Sequence, residues 1–118
     1  MARKSPFEHL RDFALTLPEA WEDHPWEHTV VKVRKKIFVF VDAHGRGGVR
    51  LTVKLPESEA SALDLPGAES TGYGLGKHGW VSLNCEAGEM PAMDLLEGYV
   101  LESYRAVAPK TLIKQLGA

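Results

Sequence analysis

The sequence predicts an α+β fold in which an antiparallel β-sheet carries its helices mainly on one face. Several segments rich in Val, Ile and Phe follow one another through short turns, and strands joined in this way pair antiparallel. Amphipathic helical patterns stand near both ends of the chain. Strands and helices do not alternate regularly, so the pattern differs from that of a doubly wound parallel sheet.

The length and composition are those of one ordinary globular unit. A chain of 118 residues can build one hydrophobic core, so we expect residues 1–118 to form a single domain. No apolar run approaches the roughly 20 residues that cross a bilayer, so we expect no membrane partner. Cys85 is the single cysteine and cannot form an internal disulfide, which favours a cytoplasmic location.

The first helix is predicted from its start signal and its apolar stripe. Ser5, Pro6 and Glu8 make a capping box with proline at the first helical position. Pro18 is expected to end the helix. The apolar residues of its buried face recur at three- and four-residue steps: Phe7, Leu10, Ala14 and Leu17.

The strands follow the first helix. Residues 30–33 and 37–41 flank the basic turn 34–36, which predicts a hairpin. Residues 37–41 are apolar on both faces and so fit a central strand, in which Phe38 and Phe40 are expected to be buried. Residues 49–55 alternate strictly between apolar and polar side chains, as in a strand with one buried face.

Further elements complete the chain. They follow in order: a short helix over residues 56–63, a glycine-rich stretch over 66–79, a strand over 80–85, a long amphipathic helix over 91–108, and a final turn or two over 110–116.

A glycine motif in the second half has the spacing of a dinucleotide fingerprint, at Gly74, Gly76 and Gly79. That chemistry requires the motif to leave a strand and open a helix, so that pyrophosphate meets the helix N-terminus. Here a strand follows the motif. A turn that needs positive φ angles is the better interpretation, and no nucleotide cofactor is predicted.

The remaining reactive residues do not assemble a catalytic or metal site by their spacing. His24 and His28 stand four residues apart, but Pro25 prevents the regular helix that would bring them onto one face, and no third ligand is marked. Cys85 is in phase with Val81 and Leu83 and is predicted to be a core residue. The sequence therefore favours a function without catalysis, metal or cofactor.

Basic residues are concentrated in the first half of the chain. The formal net charge is −2, but residues 1–54 hold ten basic and seven acidic residues, net +3, and residues 55–118 hold four and nine, net −5. Adjacent strands would bring one set of basic residues together in a patch that contacts phosphate. Two residues of the glycine-rich loop would extend this patch. The set is Lys32, Arg34, Lys35, Lys36, Arg50 and Lys54, with Lys77 and His78 in the loop. The same pattern also fits a solvated sheet face whose charges prevent edge pairing. The sequence does not predict exposed aromatic side chains on which the bases of a single-stranded nucleic acid could stack.

Five sequence pieces, in this order, resemble the MmcQ/YjbR-like proteins along nearly the whole chain. The pieces are residues 17–20 with 22–26 (LPEA, EDHPW), 31–33 with 36–38 (VKV, KIF), 51–54 (LTVK), 76–81 (GKHGWV) and 102–104 (ESY). The family often has glycine in the hairpin turn where this chain has Lys35.

The resemblance implies a compact α+β fold with an antiparallel sheet, in a double-wing arrangement similar to the bacterial frataxin fold. It also implies DNA binding, on the strength of fold comparison, and brings no catalytic residues. We therefore predict a monomeric DNA-binding protein that contacts phosphate through the basic hairpin. The alternative is a domain that binds a small anionic ligand or a protein partner in a cleft lined by the glycine-rich loop and residues 21–26. A pocket that joins His28, Lys77 and Trp80 would favour this alternative.

Overall fold

The computed structural model describes residues 5–71 and 79–116. The elements are α1 (Pro6–Leu15), β1 (Ala20–Asp23), β2 (Val30–Val33), β3 (Lys36–His44), β4 (Gly48–Lys54), α2 (Glu59–Leu63), β5 (Ala68–Ser70), β6 (Trp80–Cys85), α3 (Met93–Val107) and α4 (Lys110–Lys114). Single 3₁₀ turns lie at Pro25–Glu27 and Ala87–Glu89. Over the described ranges, every helix is too short or too polar to cross a bilayer.

All six strands form one antiparallel sheet in the order β1-β2-β3-β4-β6-β5. The α+β class, the basic hairpin of β2 and β3, and the strands β4 and β6 are as predicted. The edge strands β1 and β5 were not predicted, because the residues of β1 were interpreted as a loop and those of β5 as part of the glycine-rich stretch. Both strands are short and half exposed, so neither carries a clear apolar alternation.

The helices pack on one face of the sheet and bury the core there. Leu10 of α1 and Val100 of α3 lie in one buried cluster with Val39, Leu51 and Leu83 of the three central strands. The opposite face carries no described helix, and we call it the open face. Cross-strand partners share a face, which assigns these residues to the open face: Trp21, Asp23, Val30, Lys32, Ile37, Phe40, Asp42, Arg50, Thr52, Lys54, Trp80, Ser82 and Asn84.

Two matching turns lead into the two edge strands. In residues 17–20 (LPEA) the Ala20 N–H donates to the Leu17 carbonyl at 3.1 Å, and in residues 65–68 (LPGA) the equivalent bond also measures 3.1 Å. Proline occupies the second position of each turn, and the third position has a positive φ, 57° at Glu19 and 82° at Gly67. Each turn carries the chain from a helix into an edge strand, so both edges of the sheet are built alike.

The cysteine lies in the core, as predicted. Cys85 is the last residue of β6 and is 2% exposed. Burial raises the pKa of its thiol, so the side chain stays protonated and unreactive at neutral pH.

Candidate functional site

Helix α3 is fastened to the rest of the fold by residues of the 102–104 piece. The Glu102 carboxylate accepts the backbone N–H groups of Glu57 (2.9 Å) and Ser58 (3.0 Å) and the hydroxyl of Ser58 (2.6 Å), just before α2. The Tyr104 hydroxyl donates to the carbonyl of Pro18 at 2.7 Å, in the turn before β1. These bonds fix where the C-terminal end of α3 meets the sheet.

Ser103 lies between these two residues and ends the pairing of β3 with β4. The last register pair of the two strands is Val39 with Val53, so the next pair would join Phe38 with Lys54. Instead, the buried Ser103 hydroxyl accepts the N–H of Lys54 at 2.8 Å and donates to the carbonyl of Phe38. The hydroxyl thus replaces a ladder hydrogen bond, and α3 enters the end of the sheet between the two strands.

A β-bulge in β3 turns two consecutive side chains to the same face of the sheet. Val31 lies opposite Val39 and Lys32 opposite Ile37, which leaves Phe38 as the extra residue. Phe38 and Val39 are both buried on the helix side. The bulge therefore keeps Lys32 and Ile37 on the open face although the strand has gained one residue.

A concave site forms where the bulge, the end of β4 and the end of α3 meet. Its cavity is about 420 Å³, and we call it the lysine cleft, lined by Lys32, Lys35, Lys36, Lys54, Ile37, Trp80, Ala106 and Val107. An adjoining groove of about 570 Å³ shares Lys35 and Lys36 and adds Arg34 and Lys110 as cations. Six basic side chains thus surround one end of the sheet.

Lys32 is held by an aspartate and a tryptophan of the edge strand β1. Its Nζ lies 2.7 Å from Asp23 Oδ2 and 5.1 Å from the centroid of the Trp21 ring. The hydrogen bond from Lys32, followed by that from the backbone N–H of His24, lowers the pKa of Asp23. The carboxylate therefore stays charged at neutral pH and partly neutralises this lysine.

The other lysines of the cleft are not paired with acids in the described part of the chain. Arg34 Nε lies 3.4 Å from Glu19 Oε1 in an exposed pair. Within residues 5–71 and 79–116, no carboxylate lies within 4 Å of the amino groups of Lys35, Lys36 or Lys54. Three like charges at one cavity repel one another, so the electrostatics there favour the approach of a counter-charge.

Arg50 does not belong to the lysine cleft, although the sequence placed it in the same patch. It lies on the open face of β4, four residues from Lys54, beside a different cavity. Its Nη2 lies 3.7 Å from Glu69 Oε1. The other two predicted residues, Lys77 and His78, lie outside the described residues.

A second cavity, of about 480 Å³, lies next to the lysine cleft on the open face. We call it the hydroxyl pocket, lined by His28, Phe40, Asp42, Arg50, Thr52, Thr71 and Ser82. Its hydroxyls form a chain, with Ser82 Oγ 3.0 Å from Thr52 Oγ1 and 3.1 Å from Thr71 Oγ1. The rings of Phe40 and Trp80 meet edge to face at 6.0 Å and stand between the two cavities.

The prediction that Phe40 is buried was wrong, whereas Phe38 is buried as predicted. Phe40 is half exposed and lines the hydroxyl pocket, because the bulge turns Phe38 to the core and leaves Phe40 on the open face. A bulge has no clear sequence pattern in this strand, and simple alternation places both rings on one face.

The histidines are held by separate carboxylates. His24 Nε2 lies 2.6 Å from Glu22 Oε2, and His28 Nδ1 lies 3.2 Å from Asp42 Oδ2. Asp42 also accepts the backbone N–H of Thr29 at 3.1 Å, which fixes the carboxylate in the hydroxyl pocket. Across the described ranges, no three His, Cys, Asp or Glu side chains converge as metal ligands would. His28 lines the hydroxyl pocket and Trp80 lines the lysine cleft, and Lys77, the third residue that the alternative hypothesis names, lies outside the described residues.

Comparison with known proteins gives one result. The model of a protein family, YjbR, matches residues 15–106 of the chain, from the end of α1 to the end of α3. The matched part contains the 102–104 piece and every residue of the lysine cleft except Val107. No curated protein matches the chain.

Proposed function

Because the chain belongs to the YjbR family, for which the resemblance implies DNA binding, we propose that it is a nucleic-acid-binding module whose lysine cleft contacts phosphate. The observation that supports this proposal most is the convergence of Lys35, Lys36 and Lys54 without acidic partners in the described chain. Lysine binds phosphate as a compact point charge, and a row of such contacts supplies affinity that does not depend on base sequence.

The arrangement of the cations also supports a polymer of phosphates. The lysine cleft and its adjoining groove lie side by side and share two lysines, so the positive charge extends beyond one binding pocket. A small anion would need one concave site, whereas a nucleic-acid backbone carries charge past both. The cleft has the size of a ligand pocket, and this specific observation keeps a small phosphorylated ligand as the second candidate function.

The proposal predicts a salt dependence that is specific to the cleft. The double variant Lys36→Ala, Lys54→Ala removes two phosphate contacts, so the slope of log affinity against log salt should become shallower by about 2. Titration of a labelled DNA duplex and a labelled single strand at several salt concentrations measures the slope. The matched control is Arg46→Ala, an exposed cation in the β3–β4 turn at the other end of the sheet, which should leave the slope unchanged.

Equal slopes for the double variant and the control would place the binding elsewhere on the protein. Absence of salt-sensitive binding to either DNA form would reject nucleic acid as the partner. Inorganic phosphate serves as the competitor that separates the two candidate functions: displacement of DNA at low millimolar phosphate would favour a small-anion site.

The Lys32–Asp23 pair predicts a gain of affinity. Asp23→Asn removes the carboxylate that neutralises Lys32, so binding should tighten and the salt slope should steepen by up to about 1. The control Asp64→Asn makes the same charge change at the exposed end of α2. If both variants shift the affinity equally, the effect comes from net charge and not from the release of Lys32.

A further inference from the structure

Large apolar side chains lie opposite lysines on the open face. The cross-strand register pairs Trp21 with Lys32, Lys32 with Ile37, and Lys54 with Trp80. The row reads Trp, Lys, Ile over β1, β2 and β3, and Lys54 with Trp80 makes a second pair on β4 and β6. Trp21 is 44% exposed, which is unusual for so large an apolar ring on a sheet. Positive charges interleaved with flat rings are the pattern of surfaces that bind unpaired nucleotides.

The hydroxyl pocket supplies groups that suit the edge of a base. Asp42 offers a fixed carboxylate acceptor, Arg50 offers guanidinium donors, and the hydroxyl of Thr52 in the pocket lining can donate or accept. The ring of Phe40 forms an apolar wall of the same pocket. A planar ligand with both donors and acceptors, such as a nucleobase, matches this combination.

The two cavities are close enough for one nucleotide to reach both. Thr52 of the hydroxyl pocket and Lys54 of the lysine cleft are two residues apart on the same face of β4, which is about 7 Å along a strand. A nucleotide spans such a distance between its phosphate and its base. The wall formed by Phe40 and Trp80 lies between the two positions.

We propose that the nucleic acid bound by this protein is single-stranded, with a phosphate in the lysine cleft and its unpaired base in the hydroxyl pocket against Phe40. This inference rests on the proposed function, because it specifies which form of nucleic acid has its phosphates bound in the lysine cleft. In a duplex the bases are paired and stacked, and one would have to be flipped out to enter the pocket. A single strand presents its bases with little such cost.

The test compares three probes at one salt concentration: a labelled single-stranded oligonucleotide of about twelve nucleotides, the same strand annealed to its complement, and a nucleoside monophosphate as competitor. The variants are Thr52→Val, which replaces a hydroxyl by a methyl group of the same shape, and Phe40→Leu, which removes the ring. Thr111→Val makes the first change on exposed α4 and is the control. Circular dichroism and thermal unfolding check that each variant is folded.

We expect the single strand to bind more tightly than the duplex, and Phe40→Leu to reduce single-strand affinity about tenfold with duplex affinity unchanged. Thr52→Val should reduce it in the same direction, and Thr111→Val should not. Salt-sensitive duplex binding that equals or exceeds single-strand binding would overturn this inference and leave the proposed function standing. Unchanged single-strand affinity in both pocket variants, or a monophosphate that competes at the concentration of the oligonucleotide, would also overturn it. Failure of both DNA forms to bind would reject the proposed function as well.

Discussion

The hydroxyl of Ser103 joins two strands that have stopped pairing with each other. It accepts the N–H of Lys54, a residue of the lysine cleft, and donates to the buried carbonyl of Phe38. Sequence alone predicts that Ser103 faces the core from its position on an amphipathic helix. It does not predict these two partners, because they are 49 and 65 residues away along the chain.

Ser103→Ala removes a single oxygen atom, but we expect it to lower the free energy of unfolding strongly. Each backbone group left without a partner costs about 1–3 kcal/mol, and both groups lose their partner together. Urea denaturation measures the free energy of unfolding. The control is Ser82→Ala. Ser82 is equally buried, but its bonds within the described residues go to the hydroxyls of Thr52 and Thr71, which can rotate, so its loss should cost about 1 kcal/mol.

A similar loss in the two alanine variants would mean that the Ser103 bridge contributes no more than an ordinary buried hydroxyl. The capping box of α1 shows the contrasting case of a residue-scale feature that sequence does predict. Glu8 N–H donates to Ser5 Oγ at 3.1 Å, and the partners are three residues apart. Local bonds are thus visible in a sequence and long-range ones are not.

At the scale of elements, the matching turns explain how the unpredicted edge strands are placed. The prediction that α1 extends to Pro18 was too long, because the helix ends at Leu15 and residues 17–20 form the turn into β1. The second turn, residues 65–68, feeds β5 in the same way. The sequence contains both Leu-Pro-x-Ala segments, but their equivalence becomes clear only when each is seen to precede an edge strand.

The hairpin turn holds another positive φ on a residue other than glycine. The resemblance drew attention to Lys35, where related proteins often have glycine, but in this turn the left-handed conformation falls on Arg34, at φ 57°. Trp21 Nε1 donates to the Arg34 carbonyl at 2.7 Å and ties the turn to β1. This side-chain bond supports a backbone conformation that the local sequence disfavours.

The two Leu-Pro-x-Ala turns predict opposite effects of small substitutions. Glu19→Gly should stabilise the protein by up to about 1 kcal/mol, since glycine adopts a φ of 57° without the steric cost of a side chain. The gain is reduced by loss of the exposed Glu19–Arg34 pair. Gly67→Ala should destabilise it by about 2 kcal/mol or more, because the new Cβ would lie 2.2 Å from the backbone oxygen of Asn84.

Thermal and urea unfolding of both variants measure these effects. A destabilised Glu19→Gly protein would show that its side chain contributes more than its backbone conformation costs. A neutral Gly67→Ala protein would show that the turn can move away from β6. Either result would contradict the equivalence of the two turns.

At the scale of the whole molecule, the order of strand and helix patterns predicted the fold class, and the uneven charge distribution led us to expect a basic side. The cations of the lysine cleft come from the first half of the chain, as the charge distribution indicated, and the adjoining groove adds Lys110 from the second half. Their convergence depends on the bulge, on the Ser103 bridge and on the end of α3. Arg50 shows the limit of the sequence argument, since a shared strand face did not bring it to the same cavity as Lys54.

Cys85 provides a probe of whether the sheet opens as one unit. Its thiol is buried and protonated, and on its outer side β6 pairs only with the three-residue β5 within the described chain. If the sheet unfolds cooperatively, a thiol reagent should label Cys85 only in globally unfolded molecules. The free energy from labelling rates at neutral pH should then equal that from urea denaturation. The Ser103→Ala substitution should lower the labelling free energy and the urea free energy by the same amount. A labelling free energy well below the urea value would show instead that β5 detaches from β6 while the β1–β4 part and the lysine cleft stay folded.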